Sequence, residues 1–247
     1  MIDWHSHILP GLDDGAKNLE ESLALGRLLA EVGFTQVHCT PHSLRGMYDN
    51  CPADVRAACA DLQTHFDQEK ISIRLLPGME YCLDEFFPDC IADLQPLGES
   101  RFVLVETPSR ASTQQLKENL FLIKRAGYTP LFAHPERHAF LAPANPTGVD
   151  LLPSFLKRFR KESPEEEIDA TPLAELVEIG CFFQCNLGSV AGYYGQFVQK
   201  QVRRLLHLGL YRCVGSDSHH QQSASGFLPA GLKEIRDHFA GLLSVDD

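Results

Sequence analysis

Apolar positions along the chain alternate between two periods. Leu25, Leu28, Leu29 and Val32 recur at the i, i+3, i+4, i+7 spacing of one helical face. Asn18 with Glu21 reads as a capping box opening that helix, and Gly33 supplies the stop. Thr35–Thr40 then reads as a strand, followed by a helix over roughly residues 52 to 69 and a strand at Ile71–Leu76. Arg101–Glu106 is a further strand. Leu116, Leu120 and Ile123 mark the next helix, ended by Gly127. Thr129–Ala133, Cys181–Cys185 and Tyr211–Gly215 complete the strands, with helices after the last two. Alternating strands and helices predict an α/β fold with a mainly parallel sheet. With about seven strands, a closed or distorted barrel is favoured over an open sheet.

Composition narrows the class. The 247 residues suffice for one large domain with a full core, and 44% hydrophobic against 22% charged residues is ordinary for a globular chain. The formal charge of −11 argues against a binder of nucleic-acid backbone, whose affinity rests on Lys and Arg neutralising phosphates. No run of apolar residues reaches membrane-spanning length, and Met1–His7 lacks the pattern of a signal peptide, so a cytoplasmic location and no membrane insertion are expected. The eight cysteines show no C-x-x-C pair and sit in apolar contexts, which predicts that most are buried thiols rather than a disulfide framework or a zinc knuckle. A stretch at about 143 to 172, with Lys157–Lys161 and Glu165–Glu167, reads as a charged surface insertion containing a short helix. The whole of 1–247 is expected to be one domain.

The chemistry lies at the carboxyl ends of the strands. The first ends in His5 and His7, the second in His42, and the third runs out before Glu80. Glu106, His134 and Asn186 end the next three, and Asp217 with His219 follows the last. In barrels of βα units that end is where sites are assembled. At i and i+2 in a strand, His5 and His7 point to one face, with Asp3 on the same face to orient a ligand from behind. Mixed imidazole and carboxylate donors suit Zn, Mn or Fe. Each element alone has a bland reading: His42 as a turn residue, Glu80 as a solvated carboxylate, Asp13-Asp14-Gly15 as a turn with a left-handed glycine. Their conjunction at successive strand ends favours a site. His38, His65, His138, His207, His220 and His238 are taken as structural or surface residues.

Together, Asp3-x-His5-x-His7, Leu9-Pro10-Gly11 with Asp13-Asp14-Gly15, and Thr40-Pro41-His42 with Gly46, Tyr48 and Asn50 resemble the polymerase-and-histidinol-phosphatase (PHP) superfamily. They resemble most its bacterial manganese-dependent protein-tyrosine phosphatases of capsule and exopolysaccharide synthesis. The match continues through Pro77–Glu80, Glu106, Ala133–Arg137, Gln184–Ser189 and Ser216–His219, in order along the chain. The resemblance implies a distorted (βα)7 barrel of the PHP type and three divalent metal ions, with Mn expected and Fe or Zn as alternatives. His5, His7, Glu80 and Asp217 would hold the first ion. Glu80 would bridge to a second, also held by Glu106 and His134, and Asp14, His42 and His219 would hold the third. Arg137 would contact the phosphoryl group.

Relatives also carry an arginine soon after S-D-x-H, which this chain lacks before Arg236; Arg45, near His42, is the candidate substitute. The expected reaction is hydrolysis of a phosphotyrosine monoester by a metal-bridging hydroxide. The expected partner is a phosphotyrosine protein, in particular a tyrosine kinase of exopolysaccharide export.

Three other readings compete. His38-Cys39-Thr40-Pro41-His42-Ser43-Leu44-Arg45 matches the H-C-x5-R signature of cysteine-dependent phosphatases, but it offers no glycine, and Pro41 has no N–H for a phosphate cradle. A PHP-type site acting on a small phosphate ester such as histidinol phosphate is the second. A non-catalytic metal-binding regulatory module is the third.

Overall fold

The computed structural model describes residues 1–108, 112–142 and 172–243. The charged insertion expected from about residue 143 lies outside them, except for Pro172.

Strand β1 (Ile2–Ser6) leads to helix α1 (Leu19–Glu31), whose cap Asn18 accepts a hydrogen bond from the Glu21 backbone N–H at 3.0 Å. The box is half formed, because the Glu21 carboxylate accepts from Lys17 N–H instead of reaching back to Asn18. The expected second strand is observed as β2 (Gln36–Cys39), with a short β3 (His42–Ser43) beyond it, and the third as β4 (Arg74–Pro77), with a short β5 (Glu80–Cys82) beyond it. Between the strand pairs runs α2 (Pro52–Gln68). The expected strand at Ile71–Leu76 thus starts later: Ile73 N–H bonds to Ile71 C=O in a turn, and both side chains are buried without joining the sheet.

The rest follows the predicted alternation: β6 (Phe102–Glu106), α3 (Thr113–Arg125), β7 (Thr129–Ala133), α4 (Pro172–Ile179) and β8 (Phe182–Asn186). The chain continues through α5 (Leu187–Ala191), α6 (Gln196–His207), β9 (Tyr211–Gly215) and α7 (Gln221–His238).

All strand pairs are parallel, in two sheets of order β1-β2-β4 and β3-β5-β6-β7-β8-β9. Two seams join them. At one, the chain passes between sheets at Thr40-Pro41 and Gly78-Met79, where Gly78 N–H bonds to Cys39 C=O and Glu80 N–H to Pro41 C=O. Pro41 has no N–H to extend the ladder, so the break falls there. At the other, Ser6 bridges Ser218 in parallel, and Asp217 N–H bonds to His5 C=O at 2.7 Å. Strand alternation divides the core. Leu104, Leu131, Ala133 and Cys213 join Trp4 and Leu97 in one small buried cluster, while Val103, Val105, Phe132, Phe183, Cys185 and Val214 belong to the larger cluster with the helices.

Candidate metal centre

Both seams deliver polar side chains to one place. His5 and His7, two residues apart on one strand face, bring their Nε2 atoms to 3.0 Å from each other in a fully buried setting. His5 Nδ1 donates to Gln184 Oε1 at 3.1 Å, an oxygen fixed as acceptor because the Gln184 amide nitrogen is spent on the Cys185 and Gly215 carbonyls. His7 Nδ1 donates to Asp13 Oδ2 at 2.7 Å. Asp13 also accepts from Gly15 N–H and His42 N–H; despite its burial, the His7 imidazole and these donors hold its carboxyl down at about 2. With both Nδ1 positions committed as donors, the neutral rings turn lone pairs toward each other.

Three further groups converge there. Glu80, fully buried, places Oε2 at 3.1, 3.2 and 3.4 Å from nitrogens of His42, His5 and His7, yet in hydrogen-bond geometry to none of them. Its other oxygen meets His134 Nε2 at 3.1 Å. Asp217 Oδ1 lies 3.4 Å from His7 Nε2 and 3.5 Å from His5 Nε2. On the outer side, His42 Nδ1 is 3.3 Å from Glu106 Oε1, and Asp14 Oδ1 is 3.4 Å from His219 Nε2 and 3.6 Å from His42 Nε2. Three groups of donor atoms result, each compact enough for one ion: His5, His7 and Glu80; His42, Glu80 and Glu106; and His7, Asp14, His42 and His219.

The donor set fits divalent cations. Adjacent ligands around an ion with bonds of about 2.1 Å lie about 3 Å apart, which is the spacing of these unbonded pairs. An orphaned buried carboxylate oxygen among imidazole lone pairs is costly without a cation. Without one, protons take its place: Glu80 and the hydrogen bond that the His42 ring donates to Glu106 drive His42 up to about 10 against its burial. Carboxylates likewise hold His5 and His7 above the ordinary imidazole range although burial pulls them down. Glu80 and Asp217 stay well below the carboxylate range despite burial, through His5 and their other cationic neighbours.

Local backbone makes the convergence possible. His134 and Asp217 have φ of 34° and 51°, the left-handed region that non-glycine residues rarely enter, and this turns each side chain back over its strand end. Gly15 is not left-handed, so the bland reading of Asp13-Asp14-Gly15 as a turn with a left-handed glycine does not hold. A Cβ there would sit 2.1 Å from the His7 carbonyl oxygen, so glycine serves close approach of the Asp13–Gly15 turn.

The expected ligands lie close together: His5, His7, Asp14, His42, Glu80, Glu106 and His219 fall in those donor groups, while His134 and Asp217 fall in none of them and stand beside Glu80 and the His5–His7 pair. Arg137 reaches the cluster too, donating through Nη2 to Asp217 Oδ2, which Asn186 Nδ2 also holds at 2.8 Å. Arg45 is not brought in. Its exposed guanidinium bonds to Asp89 at 2.9 Å and lies 4.7 Å from the centre of the Phe86 ring.

Asp3 does not orient a ligand ring. It accepts from His5 N–H, Ser216 N–H and Ser216 Oγ, clamping β1 to the turn after β9. Burial nonetheless pushes its carboxyl up to about 6. Asp13 and Gln184 had no role assigned from the sequence although both stand within the matching motifs, and Asn186, placed at a strand end from the sequence, here holds Asp217. Of the histidines taken as structural or surface, His138 is structural: its ring stacks 6.1 Å from that of His134, and burial drives it down to about 3.

Cys39 is fully buried in β2 with its sulfur 3.9 Å from that of Cys59, and burial holds its thiol well above the ordinary range. A reactive thiolate needs the opposite environment, so the H-C-x5-R match is not a phosphate cradle.

Comparison with known proteins agrees with the geometry. Tyrosine-protein phosphatase YwqE of Bacillus subtilis is 29% identical over 245 residues, covering 98% of this chain and 87% of the relative. Tyrosine-protein phosphatase CpsB of Streptococcus pneumoniae is 28% identical over 235 residues, covering 92% and 86%. A solved structure from work on YwqE and CpsB, described as unique metal-dependent tyrosine phosphatases, superposes with a TM-score of 0.77 at 29% identity, covering 97% of this chain and 87% of that one. The family model "Capsular polysaccharide synthesis, CpsB/CapC" matches residues 1–149 and 165–240. With strand-end donors, order along the chain and family model in agreement, the chain belongs to the CpsB/CapC family of capsular polysaccharide synthesis.

Proposed function

We propose that this protein is a metal-dependent protein-tyrosine phosphatase whose centre holds three divalent ions, with manganese the expected metal. One observation carries the reading: Glu80 Oε2, buried and without a hydrogen-bond partner, sits 3.2 and 3.4 Å from the Nε2 atoms of His5 and His7, which face each other at 3.0 Å, a buried set of donors at ligand spacing. His5, His7, Glu80 and Asp217 would hold one ion, Glu80, Glu106 and His134 a second, and Asp14, His42 and His219 a third. Bound there, the ions supply Lewis-acid charge and an activated water for in-line displacement at phosphorus. We also infer that the two sheets, joined at both seams, form the distorted (βα)7 barrel expected for the PHP type, in one domain.

The chain's own residues bind and orient the ester. Arg137 meets the phosphoryl oxygens from beside Asp217 and stabilises the charge they share in the transition state. Asp13 and Gln184 keep His7 and His5 in the tautomers that offer Nε2. The leaving phenoxide, with a conjugate pKa of about 10, needs modest help to depart. The outer wall is open, with the Asp14 side chain 54% exposed and His219 27%. That suits a phosphotyrosine presented on a polypeptide, such as a tyrosine kinase of the polysaccharide export machinery. No helix among the described residues is long and apolar enough to cross a membrane.

Elemental analysis of purified protein, with turnover of a phosphotyrosine peptide and of histidinol phosphate before and after chelation, tests the reading. Peptide turnover that is lost on chelation and restored by Mn supports it. Activity indifferent to chelation, or confined to histidinol phosphate, overturns it.

A further inference from the structure

Arg137 does not hold itself in place. Its guanidinium carbon lies 3.8 Å from the centre of the Tyr194 ring, and among the described residues it donates one hydrogen bond, from Nη2 to Asp217. Nε is buried and has no hydrogen-bond partner among the described residues. The Tyr194 ring also lies against the first turn of α5. A Cβ on Gly188 would stand 2.9 Å from Tyr194 Cε2, so the ring lies against bare backbone there. The segment bearing the ring is tied to the same turn by hydrogen bonds from Gly192 N–H to Ser189 C=O and from Tyr193 N–H to Gly188 C=O. Tyr193 meets Tyr194 edge-on at 5.0 Å and braces it further. Burial, with Asp217 adding to it, pushes the Tyr194 phenol up to about 12, so the ring meets the cation as a neutral π face.

We propose that Tyr194, seated on Gly188, is a positioning residue that holds the Arg137 guanidinium in the plane from which it meets the phosphoryl group. This rests on the reading of Arg137 given above. A long arginine side chain loses substantial rotamer freedom on being fixed, and the flat ring removes that freedom before substrate arrives. Asp217 alone fixes one end of the guanidinium and leaves it free to tilt.

The test is a double-mutant cycle on the metal-loaded full chain, read by kcat/KM for a phosphotyrosine peptide and by inhibition by inorganic phosphate. Tyr194→Leu, which keeps apolar bulk but loses the π face, is expected to lower kcat/KM about three- to tenfold and to weaken phosphate inhibition in parallel. Tyr194→Phe is expected to rescue both. In an Arg137→Ala background, Tyr194→Leu should add nothing. If Arg137→Ala is severe while Tyr194→Leu is silent, or if Tyr194→Leu costs the same with and without Arg137, the proposal falls alone. If Arg137→Ala is itself silent, the reading of Arg137 falls and takes the proposal with it.

Discussion

His5 and His7 oppose their Nε2 atoms at 3.0 Å while Gln184 and Asp13 occupy the other nitrogen of each ring. Two ring nitrogens held face to face by their other hydrogen-bond partners must take up protons when the site is empty and can turn both lone pairs on a cation when it is filled. Removing metal should therefore cost stability as well as activity. Thermal unfolding is expected to shift upward with added Mn, by about 2.7 kcal/mol of stabilisation when the free ion is a hundredfold above its dissociation constant. A melting temperature unmoved by Mn or chelator would contradict this.

The metal-free protein should have an inverted pH response. His42 is raised from 6.5 to about 10 by Glu80 and Glu106 against its burial, so its contribution is fully present below 6.5 and lost as pH rises toward 10. Glu80 and Asp217 are depressed, so their contribution is present above the ordinary carboxylate range and lost on acidification. Chelated protein is thus expected to lose stability as pH climbs from 6.5 to 10, while Mn-loaded protein holds. Because protons and metal compete for the same nitrogens, Mn affinity should rise over that interval. Melting curves at several pH values, with and without chelator, check both signs.

Asp13 orients a ligand without joining the three donor groups. Asp13→Ala frees the His7 ring to rotate or change tautomer, and such losses typically weaken metal binding about 10- to 100-fold. Calorimetric Mn titration of the variant should show that drop with the secondary structure intact. An unchanged affinity would remove Asp13 from the site.

The two arginines should behave differently. Arg137→Ala is expected to lower kcat/KM by about 10²-fold or more, the usual cost of losing a donor to a charged transition state. Arg45 is occupied by Asp89 and lies over Phe86, so Arg45→Ala should stay within about threefold, as surface ion pairs contribute little. Steady-state kinetics on a phosphotyrosine peptide distinguish them. A severe Arg45→Ala would restore it as the substitute phosphate ligand.

Cys39 should be dispensable for chemistry. Cys39→Ala is expected to keep peptide turnover within about twofold at a modest cost in stability from the small cavity, and thiol alkylation should leave activity intact. Loss of turnover in a folded, metal-loaded Cys39→Ala protein would revive the thiolate route.

Much of this centre is readable from local order, because local order is what periodicity encodes. His5 and His7 share a face by the twofold pleat, Asn18 caps α1, and the β7 and β9 boundaries follow from apolar runs between turn residues. The donor residue types after successive strands are visible for the same reason. Other features depend on groups far apart in sequence or on torsions that no pattern displays. Asp3 binds Ser216 across 213 positions, and Asn186 reaches Asp217 only because β8 and β9 lie side by side. The splits at Pro41 and Gly78, the left-handed turns at His134 and Asp217, and the choice of Asp13 over Asp14 as partner of His7 are settled by packing around the closed cluster. Residue type and spacing establish which side chains can bind a cation, whereas the direction in which each points is a property of the assembled strands.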